Sequence, residues 1–185
     1  MSDRRGDVER AAVRVVTERE QGQGRQVRSV ERWRTVQDHE AVAEALREVD
    51  ADPGLPWSFD LLSTAAGTSP RFIEVKGRGT KGPVDVIDRE YNFAARLGEH
   101  AVLAVVWYAE VSAQQQVWVA SDWTRLPWQR TREADPKRAE DSAFLLAFGM
   151  RDKRSRSQRA LEAEGERSLT NDDVEAHGRM VQPGV

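Results

Sequence analysis

Nine consecutive apolar residues, Ala101 to Ala109, constrain the fold more than any other stretch of the chain. A strand exposed on one face alternates apolar with polar positions, so a run that is apolar at every residue fits a central strand covered on both faces. It falls far short of the roughly 20 residues that a membrane-spanning helix needs. The first residues are polar and carry both signs, unlike a secretory leader, so the reading is a cytoplasmic protein with no membrane partner. A doubly covered strand needs strand neighbours at its edges and helices on its two faces. That requirement predicts an α/β domain with a central mixed sheet flanked by helices.

The other elements can be read along the chain. Val8, Ala11, Ala12, Val15 and Val16 fall at helical spacing and predict a first helix over 8–20, with Asp7 as N-cap and Gly22 and Gly24 as stops. Residues 26–33 read as a strand, and Ala41, Val42, Ala45, Leu46 and Val49 place a second helix over 38–49. Strands over 58–64 and 71–77, on either side of Ala65-Ala-Gly-Thr-Ser-Pro70, read as a hairpin centred on Gly67. A short apolar segment, 84–87, precedes a helix that Asp88 would cap and Gly98 would stop. Residues 117–120 give a neighbour for the central strand, and a helix over 136–148 closes a domain spanning 1–149. Beyond Met150 a basic stretch gives way to an acidic one, so 150–185 reads as a charged tail, helical or disordered.

Composition narrows the chemistry. With 28 Lys and Arg against 31 Asp and Glu, the formal charge is −3, which excludes a uniformly basic nucleic-acid binder but not a local basic patch. The chain has no cysteine, which excludes disulfides, thiolate metal sites and Cys nucleophiles. His39, His100 and His177 are too far apart in sequence to form a ligand pair. There is no Gly-x-Ser-x-Gly elbow. Gly77-Arg-Gly-Thr-Lys-Gly82 matches a dinucleotide fingerprint, yet Pro83-Val-Asp-Val-Ile continues extended where a helix should open. Arg78 and Lys81 read better as phosphate contacts; the six tryptophans read mostly as core or interface, with Trp123 and Trp128, beside Arg125 and Arg130, as the alternative stacking partners for bases if exposed.

The hairpin carries the most specific signal. With Gly67 at the turn, opposed residues have numbers summing to 134, which sets Asp60 against Glu74 and Ser58 against Lys76. Strand alternation then projects Asp60, Glu74 and Lys76 from one face. Opposed carboxylates repel, so a shared proton, a nearby base or a divalent cation must relieve the pair. Two hard oxygen ligands suit Mg²⁺ or Mn²⁺, and an adjacent ammonium completes equipment for phosphodiester hydrolysis. The same spacing also fits a surface hairpin with an ordinary Glu–Lys pair.

The surrounding residues weigh against that bland account. Pro56-Trp-Ser-Phe-Asp60-Leu-Leu-Ser63 followed by Arg71-Phe-Ile-Glu74-Val-Lys76-Gly-Arg resembles the PD-(D/E)xK nuclease superfamily. More narrowly, Ile-Glu-Val-Lys-Gly-Arg, a glycine-rich break and Val86-Ile-Asp-Arg-Glu90 are similar to the NO VEIN carboxy-terminal domain family. The resemblance implies a restriction-endonuclease-like fold. It implies Asp60 and Glu74 as metal ligands for Mg²⁺ or Mn²⁺, and Lys76 as catalytic base or transition-state cation. Glu90, and Glu9 on the first helix, would be accessory acids. Ser58-Phe59 and Arg89 depart from the family's usual residues, and the helix at 38–49 is an insertion. The implied activity is DNA cleavage in restriction, phage defence or repair, alone, as a homodimer, or within a larger defence or helicase-containing complex. The alternative is a non-catalytic module of the same fold that binds nucleic acid or a partner protein.

Overall fold

The computed structural model describes residues 4–29, 36–130, 143–146 and 179–181. In chain order the elements are α1 (Arg4–Gly22), β1 (Gln26–Ser29), α2 (Val36–Glu48), β2 (Leu61–Ala65), β3 (Thr68–Arg78), β4 (Val84–Ile87), α3 (Asp88–Leu97), β5 (Ala101–Trp107), β6 (Gln116–Ser121), β7 (Gln129–Arg130), β8 (Ala143–Leu146) and β9 (Arg179–Val181). They form a six-stranded sheet ordered β1-β2-β3-β5-β6-β9 and a three-stranded sheet ordered β4-β8-β7. Among the described residues of the larger sheet, only β3 and β5 run parallel; the other paired neighbours are antiparallel. The central sheet is therefore mixed, and its flanking helices give an architecture consistent with a restriction-endonuclease-like fold.

The apolar run is the middle of this sheet, and every residue of β5 is buried. Its alternation divides two cores. Val102, Ala104 and Val106 pack with Ala11, Ala12 and Val16 of α1 and with Leu61, Ile73 and Val75. Leu103, Val105 and Trp107 pack on the opposite face with Val42, Ala45 and Leu46 of α2 and with Phe93, Ala94 and Leu97 of α3. Helix α2 is thus part of the main core. α1 sits unusually close to β3, because a Cβ on Gly77 would lie 2.8 Å from the Val8 carbonyl oxygen and 2.9 Å from Ala12 Cβ.

Several expectations need correction. The hairpin turn is only Ala66-Gly67, with Gly67 at φ +73°, and Ser69 and Pro70 belong to β3. Pro70 is tolerated because β5 pairing starts at Phe72 and the β2 register shifts between Ser63 and Ala65, so no ladder bond is demanded there. Asp88 is the first residue of α3 and not its cap; the N-cap position is Ile87, whose N–H donates to Glu90 Oε2 at 3.0 Å. Residues 143–146, placed in a closing helix by the sequence, form strand β8. Four successive apolar residues do not distinguish a buried helix turn from a buried strand, and here pairing with β4 and β7 decides. The rest of that expected helix lies outside the described residues. Most of 150–185 lies outside them too, but Arg179–Val181 is neither helix nor unpaired tail: it forms a strand against β6. Strand β1 ends at Ser29, and the remainder of 26–33 is likewise outside the described residues.

Candidate active site

The site arises just before β2 begins, where β3 continues without it. Pairing follows the sum of 134 from Ser63–Arg71 to Leu61–Ile73, then stops. The Asp60 amide donates to the Ile73 carbonyl at 2.9 Å, so neither Asp60 nor Ser58 forms the strand pair expected with Glu74 or Lys76. Asp60 reaches β3 differently. Its Oδ2 accepts the Val75 N–H at 2.7 Å, extending the ladder past the start of β2 and satisfying a backbone donor that β2 no longer serves. Asp60, Glu74 and Lys76 thus share one pocket, but the expected pairing of Asp60 opposite Glu74 does not form, and a side-chain contact brings Asp60 in.

Asp60, Glu74, Lys76 and Glu90 line one pocket of ≈ 660 Å³, together with Glu9, Arg5, Arg78 and Asp85. Lys76 is its hub. Its Nζ lies 2.7 Å from Glu74 Oε1 and 2.8 Å from Glu90 Oε2. The same Glu90 oxygen accepts the Ile87 amide, so one carboxylate fixes both the start of α3 and the position of the ammonium. The side chains are recessed, at 8% exposure for Glu74, 20% for Lys76 and 15% for Glu90.

Burial sets the electrostatics. It pushes the Glu74 carboxyl well above its ordinary pKa; Lys76 opposes the shift, and the charges of Asp60 and Glu90 reinforce it. Burial also pulls the Lys76 ammonium down, but Glu74 and Glu90 together outweigh it and leave Lys76 raised. Of the two roles implied for Lys76, cation or base, these surroundings favour the cation. Three acids share one base, so a hard divalent cation would offset the excess negative charge, and the all-oxygen donor set fits one. Among the described residues no group of three or more His, Asp or Glu side chains is arranged to hold a metal ion. The metal ligands would be the pair Asp60 and Glu74, as suits Mg²⁺, which keeps several waters and takes other ligands from substrate phosphate.

The remaining sequence candidates divide. Glu9 reaches the pocket but is exposed and pairs with Arg5 at 3.1 Å. Arg78 lines the pocket and pairs with Asp85. Lys81 does not line it; its Nζ stands 5.7 Å from the centre of the Trp107 ring. Trp123 is 1% exposed and cannot stack on a base, and Trp128 packs against it and donates its Nε1–H to the Trp123 carbonyl. Asp85 was missed, though its place between buried Val84 and Val86 marks it as the outward residue of β4.

A family model described as Protein NO VEIN, C-terminal, matches residues 8–119, more than half of the chain. The chain belongs to this family. Neither the curated proteins nor the solved structures yield a match. The part shared with the NO VEIN family runs from the first turns of α1 into β6 and contains every pocket residue named above except Arg5. Strands β7, β8 and β9 lie beyond the NO VEIN match. No helix among the described residues is long and apolar enough to cross a membrane.

Proposed function

We propose that the chain is a metal-dependent endonuclease of the PD-(D/E)xK type that hydrolyses DNA phosphodiester bonds, acting in restriction, phage defence or repair. The observation that carries this reading is the convergence of Asp60, Glu74 and Lys76 on one recessed pocket, with Glu90 as a second partner of the ammonium. An ordinary surface ion pair would not bury Glu74 beside two further acids.

Asp60 and Glu74 would hold Mg²⁺ or Mn²⁺, which when bound supplies Lewis acidity and neutralises charge on the phosphate. Asp60 is oriented for this by the Val75 amide. Lys76, kept protonated by its carboxylate neighbours, supplies a fixed positive charge where negative charge develops on the phosphoryl oxygens. Glu90 positions Lys76 and, through Ile87, ties it to the start of α3. Arg78 at the pocket wall contacts an adjacent phosphate.

The test is cleavage of plasmid and oligonucleotide DNA with Mg²⁺ or Mn²⁺, comparing wild type with Glu74→Ala and Lys76→Ala. Cleavage by wild type that EDTA abolishes and both substitutions remove is expected. Wild type that cuts no better than either variant would leave a non-catalytic binding module and overturn the enzyme reading.

A further inference from the structure

We propose that Asp85 is an electrostatic gate on Arg78, occupying the phosphate-binding edge of its guanidinium until a nucleic-acid phosphate displaces it. This rests on reading the pocket as a nucleic-acid site and adds a residue that sets which ligands enter.

Both partners are placed by strands. Arg78 ends β3, in register with Trp107 of β5, and its carbonyl accepts the Ala109 amide at 3.2 Å. Asp85 projects from β4 on the side away from the buried Val84 and Val86. The two elements thus present an arginine and a carboxylate at the wall of the same pocket. Arg78 Nη2 pairs with Asp85 Oδ1, while Arg78 Nε is buried with no hydrogen-bond partner among the described residues.

That asymmetry is the basis of the gate. A guanidinium recognises phosphate best through two parallel N–H bonds, and Nε with Nη2 forms one such fork. Asp85 satisfies only one arm of it. The pair is also open to solvent, at 37% and 52% exposure, so solvent screening keeps it weak and easily exchanged. Nε is closed to solvent while Asp85 stays in place, so a phosphate oxygen pair replaces one bond with two only as Asp85 swings into water and the guanidinium turns its Nε–Nη2 edge to the pocket. Ligands without a doubly accepting anionic group gain nothing from the exchange.

Fluorescence anisotropy on a labelled DNA duplex in EDTA isolates this step from cleavage. Asp85→Asn should tighten binding by about threefold to fivefold, the scale of an exposed ion pair. Arg78→Ala should weaken binding and lower the salt slope by about one unit. Adding Asp85→Asn to Arg78→Ala should then change nothing. Should Arg78→Ala not fold, Arg78→Lys keeps the charge without the fork and should lose most of the Asp85→Asn gain. Equal tightening in both backgrounds would make Asp85 a general repelling acid and overturn the gate, as would no tightening at all or no duplex binding by wild type. Binding as expected without cleavage under Mg²⁺ would instead sink the nuclease reading and leave the gate standing.

Discussion

At the scale of single residues, the pocket concentrates acids around one base, and removing that base should show how strongly they depend on it. Lys76→Met leaves Glu74 and Glu90 buried without their cation. Loss of one partner from a fully buried pair costs roughly 3–5 kcal/mol, and the 20% exposure of Lys76 lowers the expectation to about 2–3 kcal/mol in urea unfolding. The deficit should depend on pH with a definite sign. Glu74 has a folded pKa above its unfolded one, so stability is lost as pH rises from the unfolded value through the folded value and recovered on acidification. Lys76→Met should therefore approach wild type as pH falls through that window; a deficit that does not shrink there would mean Glu74 is not the charge left exposed to low dielectric. Glu90 gives a second contrast. Glu90→Gln keeps an acceptor for Lys76 and Ile87 and should retain more cleavage than Glu90→Ala, with the difference in kcat and not in KM. Glu74 and Lys76 could be placed on one face because strand side chains alternate, whereas Asp60 lies outside β2 and joins them through its bond to the Val75 amide. The tie from Lys76 to Glu90 was not legible, since it depends on where α3 begins relative to β3.

At the scale of elements, the approach of α1 to β3 rests on Gly77. The nearest atom to an added Cβ is a backbone oxygen, that of Val8, which cannot rotate away. Gly77→Ala should cost about 1–3 kcal/mol, as overpacking does, and loosen the wall that carries Arg5 and Glu9; unchanged urea stability would show that α1 can shift freely. A second joint ties the loop after α1 to the hairpin. Buried Arg25 donates to Ser63 Oγ at 2.7 Å, Thr68 Oγ1 at 2.8 Å and the carbonyls of Ser63 and Ser69, and lies 3.3 Å from Glu20. Arg25→Ala should destabilise by roughly 2–3 kcal/mol, because it leaves the buried Ser63 carbonyl and hydroxyl without this donor, while Glu20 keeps Arg71 at 3.3 Å and the Ser63 hydroxyl at 2.7 Å. Little local marks Arg25, because all its hydrogen-bond acceptors lie about forty positions away in sequence and only Glu20 is near. α1, α2 and α3 were readable from their own periodicity, and β5 from its unbroken apolar run. Strand β8 was misread because Ala-Phe-Leu-Leu suits either state, and its partner β4 is remote.

At the scale of the whole molecule, the sheet closes with a strand from near the end of the chain. β9 covers β6 through Val117–Val181, Trp118–Met180 and Val119–Arg179, and an uncovered edge is a template for association between copies. Removing residues 179–185 should raise self-association, read by light scattering, with little change in cleavage, because the pocket lies on β3. This closure and the second sheet are non-local pairings, which is why a sequence reading of a mere charged tail missed them. The net charge of −3 conceals an uneven distribution, with the acids of the pocket set beside Arg5 and Arg78. The central claim is that Asp60 and Glu74 hold the ion that DNA cleavage uses, and the Mn²⁺ dependence of cleavage tests it most directly. Wild type should show one saturable dependence, with the midpoint in Asp60→Asn shifted at least tenfold to higher Mn²⁺, on the scale seen when the shell around a metal is perturbed. A curve for Asp60→Asn that overlies that of wild type, or no cleavage by wild type at any Mn²⁺ concentration, would contradict it.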